Sequence, residues 1–207
     1  MRAQVLVLAK EPVPGRVKTR LCPPCTPEQA AALAYAAIED TLDAVDGSSA
    51  RRRTLVADGV LRPRTRWRLV PQSAGDLDVR LAHAFSRTAA PATATLLIGM
   101  DTPQATPALL DEAAKAVEDA DAALGLAEDG GWWALTLRDP AHAELLRGIP
   151  TSRPDTGERT LRRLRATGLS VVDLPVLRDV DTAADAVEVA QQCPDGRFAA
   201  AVAKCLG

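Results

Sequence analysis

Two kinds of apolar patterning alternate along this chain. Val5–Leu8 and Leu96–Gly99 are short, continuous apolar runs with no polar face, which suits strands covered on both sides. Between them lie longer stretches with helical spacing. Thr26–Val45 opens with Thr26 as a cap, Pro27 at the first helical position and Gln29 placed to close a capping box. In Leu77–Ala89, residues Leu77, Leu81, Ala84 and Phe85 make one apolar stripe, and Thr106-Pro107 repeats the cap-plus-proline start of a helix running to about Asp119. Further strands are predicted at Thr54–Ala57, Arg68–Val70, Ala122–Leu126, Trp132–Leu137 and Val171–Leu174. Short helices over Ala141–Leu146 and Glu158–Ala166 each precede a glycine, Gly148 or Gly168, and Thr182 caps a closing helix over Ala183–Gln191. Strands alternating with helices predict an α/β three-layer sandwich around a mostly parallel mixed sheet.

Composition narrows what such a fold could serve. With 207 residues and 47% apolar content the chain can bury a full core, and residues 1–207 read as a single domain. The formal charge of −2 gives no overall field for nucleic acid or an anionic membrane, so an anion would have to be held locally. There is no basic segment followed by a long apolar one and no run of about 18 apolar residues, a pattern expected of a cytoplasmic protein. Cys22 and Cys25 form a CPPC pair, and Cys193 and Cys205 lie twelve positions apart. The CPPC pair could be a redox couple or half of a zinc site, but the spacing of the other two cysteines is unlike a zinc ribbon's second knuckle, and the two prolines separate the pair from the helix start a thioredoxin-type motif needs; ordinary thiols are the simpler reading.

Ligands of open α/β sheets gather at the carboxyl ends of the strands, and three polar clusters fall there. The first is LAKEPVPGRVKTRL (Leu8 to Leu21), where Lys10, Arg16, Lys18 and Arg20 follow a strand in a chain with only four lysines. Val17 stands where a nucleotide-triphosphate loop requires glycine before the lysine, which excludes that motif. The remaining candidate is an extended loop, turned at Gly15, whose side-chain cations surround a diphosphate. The second cluster is Asp101-Thr102-Pro103, where a carboxylate at a strand end is placed for a hard cation such as magnesium, with Asp179-Val180-Asp181 offering further oxygens. The third is AEDGGWWAL. Its acids and glycines make a tight turn, and Trp132 and Trp133 must face opposite sides of a strand, one toward the core and one toward a pocket. His83 and His142 fall on helical segments as surface or packing residues.

Five ordered blocks carry a resemblance across nearly the whole chain: Lys10 to Leu21, Gln72 to Leu81 (QSAGDLDVRL), Ile98 to Pro103 (IGMDTP), Leu124 to Trp133 (LGLAEDGGWW) and Asp179 to Thr182 (DVDT). Together they resemble the small bacterial glycosyltransferase-A-fold family, long labelled a domain of unknown function. That family includes arsenosugar-type glycosyltransferases and is related to phospholactate guanylyltransferases and molybdenum cofactor nucleotidyltransferases. The resemblance implies a Rossmann-like nucleotide-diphospho-sugar transferase fold with a divalent metal, Mg2+ or Mn2+, at Asp101, to which Asp181 of the late acidic segment is the expected second ligand. It implies nucleotide contacts at Leu8, Ala9, Lys10, Gly15, Lys18, Arg20, Gln72 and Asp76, and an acceptor side shaped by Glu128, Gly130, Gly131 and Trp133. Leu126, Met100 and Trp133 depart from residues usual in the family.

The activity expected on these grounds is metal-dependent transfer of a sugar from a nucleotide diphosphate to a small acceptor, with Lys18 and Asp101 stabilising the leaving group and Asp129 as base. One rival uses the same pocket for nucleotidyl transfer from a nucleoside triphosphate with release of pyrophosphate. Another is a non-catalytic nucleotide-binding subunit. Base, sugar, acceptor and oligomeric state are not legible in the sequence.

Overall fold

A computed structural model of the chain describes residues 2–206. Seven strands form one sheet in the order β3-β2-β1-β4-β6-β5-β7. The inner strand β1 (Arg2–Lys10) lies parallel to β2 (Arg52–Asp58) on one side and to the central strand β4 (Thr93–Gly99) on the other, and β3 (Arg68–Pro71) continues the parallel arrangement. Beyond β4, strand β6 (Trp132–Leu137) runs antiparallel to both β4 and β5 (Ala122–Ala127), and β7 (Val171–Leu177) pairs parallel with β5. The sheet is therefore mixed and mostly parallel, as predicted.

The continuous apolar runs are explained by helices on both faces. Val5, Val7, Leu96 and Ile98 pack into a layer with α1 (Pro27–Gly47) and α3 (Pro107–Lys115). Leu6 and Leu97 point the other way, against α2 (Leu77–Thr88) and α4 (Thr156–Ala166). Burying each such side chain contributes about 1.5–3 kcal/mol. A third apolar cluster joins the outer side of α1 to α5 (Ala183–Gln192) and α6 (Arg197–Leu206) through Leu33, Val189, Phe198 and Val202. The caps form as the sequence indicates. Thr26 accepts from the Gln29 N–H at 3.3 Å while the Gln29 side chain accepts from Thr26 N–H at 2.8 Å, and Thr106 caps α3 through the Leu109 N–H.

The helix expected to reach about Asp119 stops at Lys115. The turn that follows it is held by Arg138, which donates to the Val117 carbonyl at 2.9 Å and the Glu118 carbonyl at 3.0 Å. The helix expected over Ala141–Leu146 is a short 3-10 helix, Pro140–Leu146. Helix α6 was not anticipated. All four cysteines are free: Cys25 is buried in the α1–α5–α6 cluster and Cys22, Cys193 and Cys205 pack against it. Burial, with Asp40 nearby, pushes the Cys193 thiol up to about 11, as fits a packing thiol rather than a reactive one.

Candidate functional site

The strand order reverses at β1, which has β2 on one side and β4 on the other, and the chain segments leaving β1, β4, β5 and β7 converge at that end of the sheet. After β1 the chain runs through Pro12 and Pro14 to Gly15, then enters a short 3-10 helix, Thr19–Leu21, with Lys18 as its cap in the left-handed region at φ 48°. Lys18 reaches back from this loop. Its ammonium lies 2.5 Å from Asp101 Oδ1 and 3.4 Å from Asp181 Oδ1, and it donates to the Val180 carbonyl. Burial opposes the charged form, but the Asp101 and Asp181 carboxylates outweigh it and hold the Lys18 pKa above its ordinary value. Lys18 and Asp101 thus meet across a single cleft. Arg20 adds an ion pair to Asp181 Oδ2 at 2.9 Å while staying mostly exposed.

The turn between β5 and β6 supplies Asp129, whose Oδ1 accepts the Gly131 N–H at 2.6 Å. Asp129, Asp179 and Asp181 each place a carboxylate oxygen within 4.8 Å of the others. This is the one such group of three acidic, histidine or cysteine side chains among the described residues. Burial, followed by the negative charges of Asp129 and Asp181, pushes the Asp179 carboxyl up to about 6. Three crowded carboxylate oxygens with a proton-hungry member are a hard-cation donor set, suited to Mg2+ or Mn2+. Asp101, expected from the sequence as a ligand, instead faces Lys18 beside this group.

Glycines hold the turn in place by close approach. Gly130 has φ +88°, and a Cβ there would lie 1.8 Å from the Pro154 carbonyl oxygen. The Gly157 N–H donates to the Gly130 carbonyl at 2.8 Å, and a Cβ on Gly157 would lie 2.4 Å from the Gly131 carbonyl oxygen. The loop before α4 is therefore docked backbone against backbone on the acidic turn.

A cleft of about 390 Å³ opens beside the acids, lined on its parallel-strand side by Leu8, Ala9, Lys10, Gln72 and Asp101 and on the other by Asp129, Gly131, both tryptophans and Asp181. An adjoining hollow of about 440 Å³ is lined by Lys10, Arg16, Lys18 and Arg20 together with Asp101 and Asp181. Gly15, Asp76, Glu128 and Gly130, also expected at the site, line neither. Gly15 makes the exposed turn of the basic loop, Asp76 precedes the first residue of α2, Glu128 pairs with Arg178 at 2.5 Å, and Gly130 packs against Pro154. Trp133 is 3% exposed and its Nε1–H donates to the Pro175 carbonyl at 2.9 Å, so it is the core member of the pair and Trp132 keeps the open surface.

Several cleft residues were not singled out from the sequence. The Gln72 amide donates to the Ala9 and Val56 carbonyls and accepts from Arg80 Nη1 at 3.0 Å, so Arg80, further held by Asp58 at 3.5 Å, is the group presented to the cleft. Thr102 is 2% exposed, lines the cleft, and its hydroxyl has no hydrogen-bond partner among the described residues. Ser152 and Arg153 enter from the loop before α4, Ser152 in the left-handed region at φ 57°. Arg80 and Thr102 stand within the quoted blocks Gln72 to Leu81 and Ile98 to Pro103 without having been given a role, whereas Ser152 and Arg153 lie outside all five blocks.

This fold is shared with several solved structures. A protein from Desulfovibrio desulfuricans G20 named "putative nucleotide-diphospho-sugar transferase" superposes with a TM-score of 0.89 at 24% identity, over 99% of this chain and 95% of that one. Rv0371c from Mycobacterium tuberculosis H37Rv, in a complex with manganese, gives a TM-score of 0.58 at 21% identity, over 92% of this chain and 99% of that one. A nucleotidyl transferase from Methanothermobacter thermautotroptrophicus gives 0.61 at 16% identity, over 94% and 99%. The architecture is that of nucleotide-diphospho-sugar transferases and nucleotidyltransferases. The family model described as "Uncharacterized protein conserved in bacteria (DUF2064)" matches residues 30–153, more than half of the sequence, and the chain belongs to that family. No curated protein matches it.

Proposed function

We propose that this chain is a divalent-metal-dependent transferase acting on a nucleotide-activated donor, and that it moves a sugar from a nucleoside diphosphate to a small acceptor. The observation that carries the reading is the meeting of opposite charges at one sheet end: Asp129, Asp179 and Asp181 within 4.8 Å of one another, beside a hollow lined by Lys10, Arg16 and Arg20. A cluster of acids alone would repel a phosphate, and a cluster of cations alone would need no acids. Both together suit a pyrophosphate group and its counter-ion.

Asp129, Asp179 and Asp181 would hold the cation. When bound, Mg2+ or Mn2+ supplies Lewis-acid stabilisation of charge on the phosphate oxygens. Lys10, Arg16 and Arg20 bind and orient the diphosphate, and an electrostatic group of this kind is typically worth about 3–4 kcal/mol at a developing anion. Asp129 has one oxygen on the Gly131 N–H and offers the other to the ion or to the proton of an acceptor hydroxyl. Trp132 and the Thr151–Arg153 segment form the acceptor wall. Manganese in a protein of similar fold supports the metal assignment, and the name of the Desulfovibrio protein supports the sugar nucleotide.

Nucleotidyl transfer is the second reading, favoured by the shared fold with the Methanothermobacter enzyme. The two differ in what leaves. Incubation with nucleotide sugars, and separately with nucleoside triphosphates plus phosphorylated acceptors, in Mn2+ or Mg2+, tests them: nucleoside diphosphate release supports sugar transfer, pyrophosphate release supports the rival. Turnover of neither, with ligand binding intact, would favour a non-catalytic subunit.

A further inference from the structure

Among the cations of the basic loop Lys18 differs from its neighbours. An ammonium has three protons and no acceptor, and here three acceptors surround it: Asp101 Oδ1, Asp181 Oδ1 and the Val180 carbonyl. Its side chain is 9% exposed. Val180 in turn donates its N–H to the Asp101 carbonyl at 2.9 Å, so the segments that follow β1, β4 and β7 close into a ring around one ammonium. A phosphate oxygen could reach Nζ only by displacing one of these acceptors, and displacing Asp101 would take from that carboxylate its one cationic partner among the described residues. The other three cations are placed differently. Lys10 and Arg16 have no acidic partner among the described residues, and the Arg20 side chain is 72% exposed with one contact to Asp181. All four line the 440 Å³ hollow, and what sets Lys18 apart is its enclosure by acceptors.

We propose that Lys18 is a positioning residue, a resident counter-ion that holds Asp101, Val180 and Asp181 together next to the acid group, and that Lys10, Arg16 and Arg20 are the phosphate ligands. The inference rests on the reading above that the hollow receives phosphate, and it reverses the role that the sequence pattern gave Lys18.

Because the chain has four lysines, selective 13C,15N-lysine labelling gives four ammonium signals. Lys10→Arg, Lys115→Arg and Lys204→Arg assign three of them and leave Lys18 by elimination. In the ligand-free protein the Lys18 protons should exchange with water at least about tenfold more slowly than those of the others, and the signal should move in Asp101→Asn. Exchange as fast as that of Lys115 overturns the proposal. Inorganic pyrophosphate, added with chelator and no metal, should move the Lys10 signal and leave Lys18 unmoved. A Lys18 signal that titrates together with Lys10 overturns it as well.

For variants, Arg20→Ala should weaken metal-free pyrophosphate binding by about tenfold, and Lys18→Met should keep affinity within about threefold of wild type while slowing turnover. An equal loss of pyrophosphate affinity in both variants contradicts a positioning role. Should Lys18→Met not fold, the wild-type spectra decide. If pyrophosphate moves no signal at any concentration, the phosphate reading fails, and the ligand-free exchange rates still judge the counter-ion role.

Discussion

The Val180 N–H donates to the Asp101 carbonyl at 2.9 Å, joining two residues that the sequence separates by most of the second half of the chain. Through this bond the segment after β7 lies against the segment after β4, which brings Asp179 and Asp181 to the same place as Asp129. Gln104 reinforces the join by donating to the Arg178 carbonyl at 2.6 Å, and Arg178 holds Glu128 beside the acidic turn. The site is therefore assembled by backbone docking as much as by its charged side chains, and its parts can be tested separately.

Asp179 should leave a signature in stability. Its carboxyl is pushed up to about 6 in the folded chain against an ordinary value of 3.8, so between these limits the folded state binds more protons than the unfolded one. The destabilisation it causes is thus absent below about pH 4 and fully present above about pH 6. Metal-free protein should lose Tm relative to Asp179→Asn as pH rises through that window, and saturating Mn2+ should remove the loss. Thermal melts of both proteins from pH 4 to 7, with chelator and then with Mn2+, check this; parallel curves would speak against the crowding of Asp179.

Gly157→Ala should damage the site from a distance. The new methyl group would lie 2.4 Å from the Gly131 carbonyl oxygen and 2.7 Å from Leu126 Cδ2, and neither the turn nor the helix start can yield without moving Asp129. A loss of about 1–3 kcal/mol is expected from overpacking of this kind, together with weaker Mn2+ binding. Urea denaturation and Mn2+ titration of the same variant provide the two readouts. Lost stability with unchanged Mn2+ affinity would separate the loop from the acids.

The two adjacent tryptophans should behave oppositely. Trp133→Phe strips the Pro175 carbonyl of its donor and should cost about 1–3 kcal/mol while leaving nucleotide and acceptor binding near wild type. Trp132→Ala should weaken ligand binding with a smaller effect on folding. Denaturation curves paired with ligand titrations distinguish them.

Much of the fold was legible because its signals are local. The strands β1 and β4 announce themselves as unbroken apolar runs, and Thr26, Thr106 and Thr182 cap the helices that follow them. Helix α6 was not legible for the opposite reason: its first N–H groups, on Arg197 and Phe198, are capped by the Asp40 carboxylate from α1 at 3.0 and 2.8 Å, a contact between residues far apart in sequence. The cleft shows the same division. The strand-end rule and the charge pattern located Lys10, Lys18, Asp101, Asp129 and Asp181, because polar residues directly after apolar runs are visible in one dimension. Which carboxylates crowd one another, which cation is enclosed, and which tryptophan is core depend on how β7 and the loop before α4 dock. Asp179 and Asp181 differ by two residues and both follow a strand, and only the fold places both of them beside Asp129 and gives Asp181 alone the Lys18 and Arg20 contacts.

The central claim is that Asp129, Asp179 and Asp181 form the cation site of a nucleotide-dependent transferase. Titration of Mn2+ into the chelator-treated protein, followed by electron paramagnetic resonance in wild type, Asp179→Asn and Asp111→Asn, tests it most directly. Wild type and the Asp111→Asn control, altered at a carboxylate on α3 that bonds Ser49, should bind one ion equally well, and Asp179→Asn should bind it at least about tenfold more weakly. Equal Mn2+ affinity in all three proteins would contradict the account.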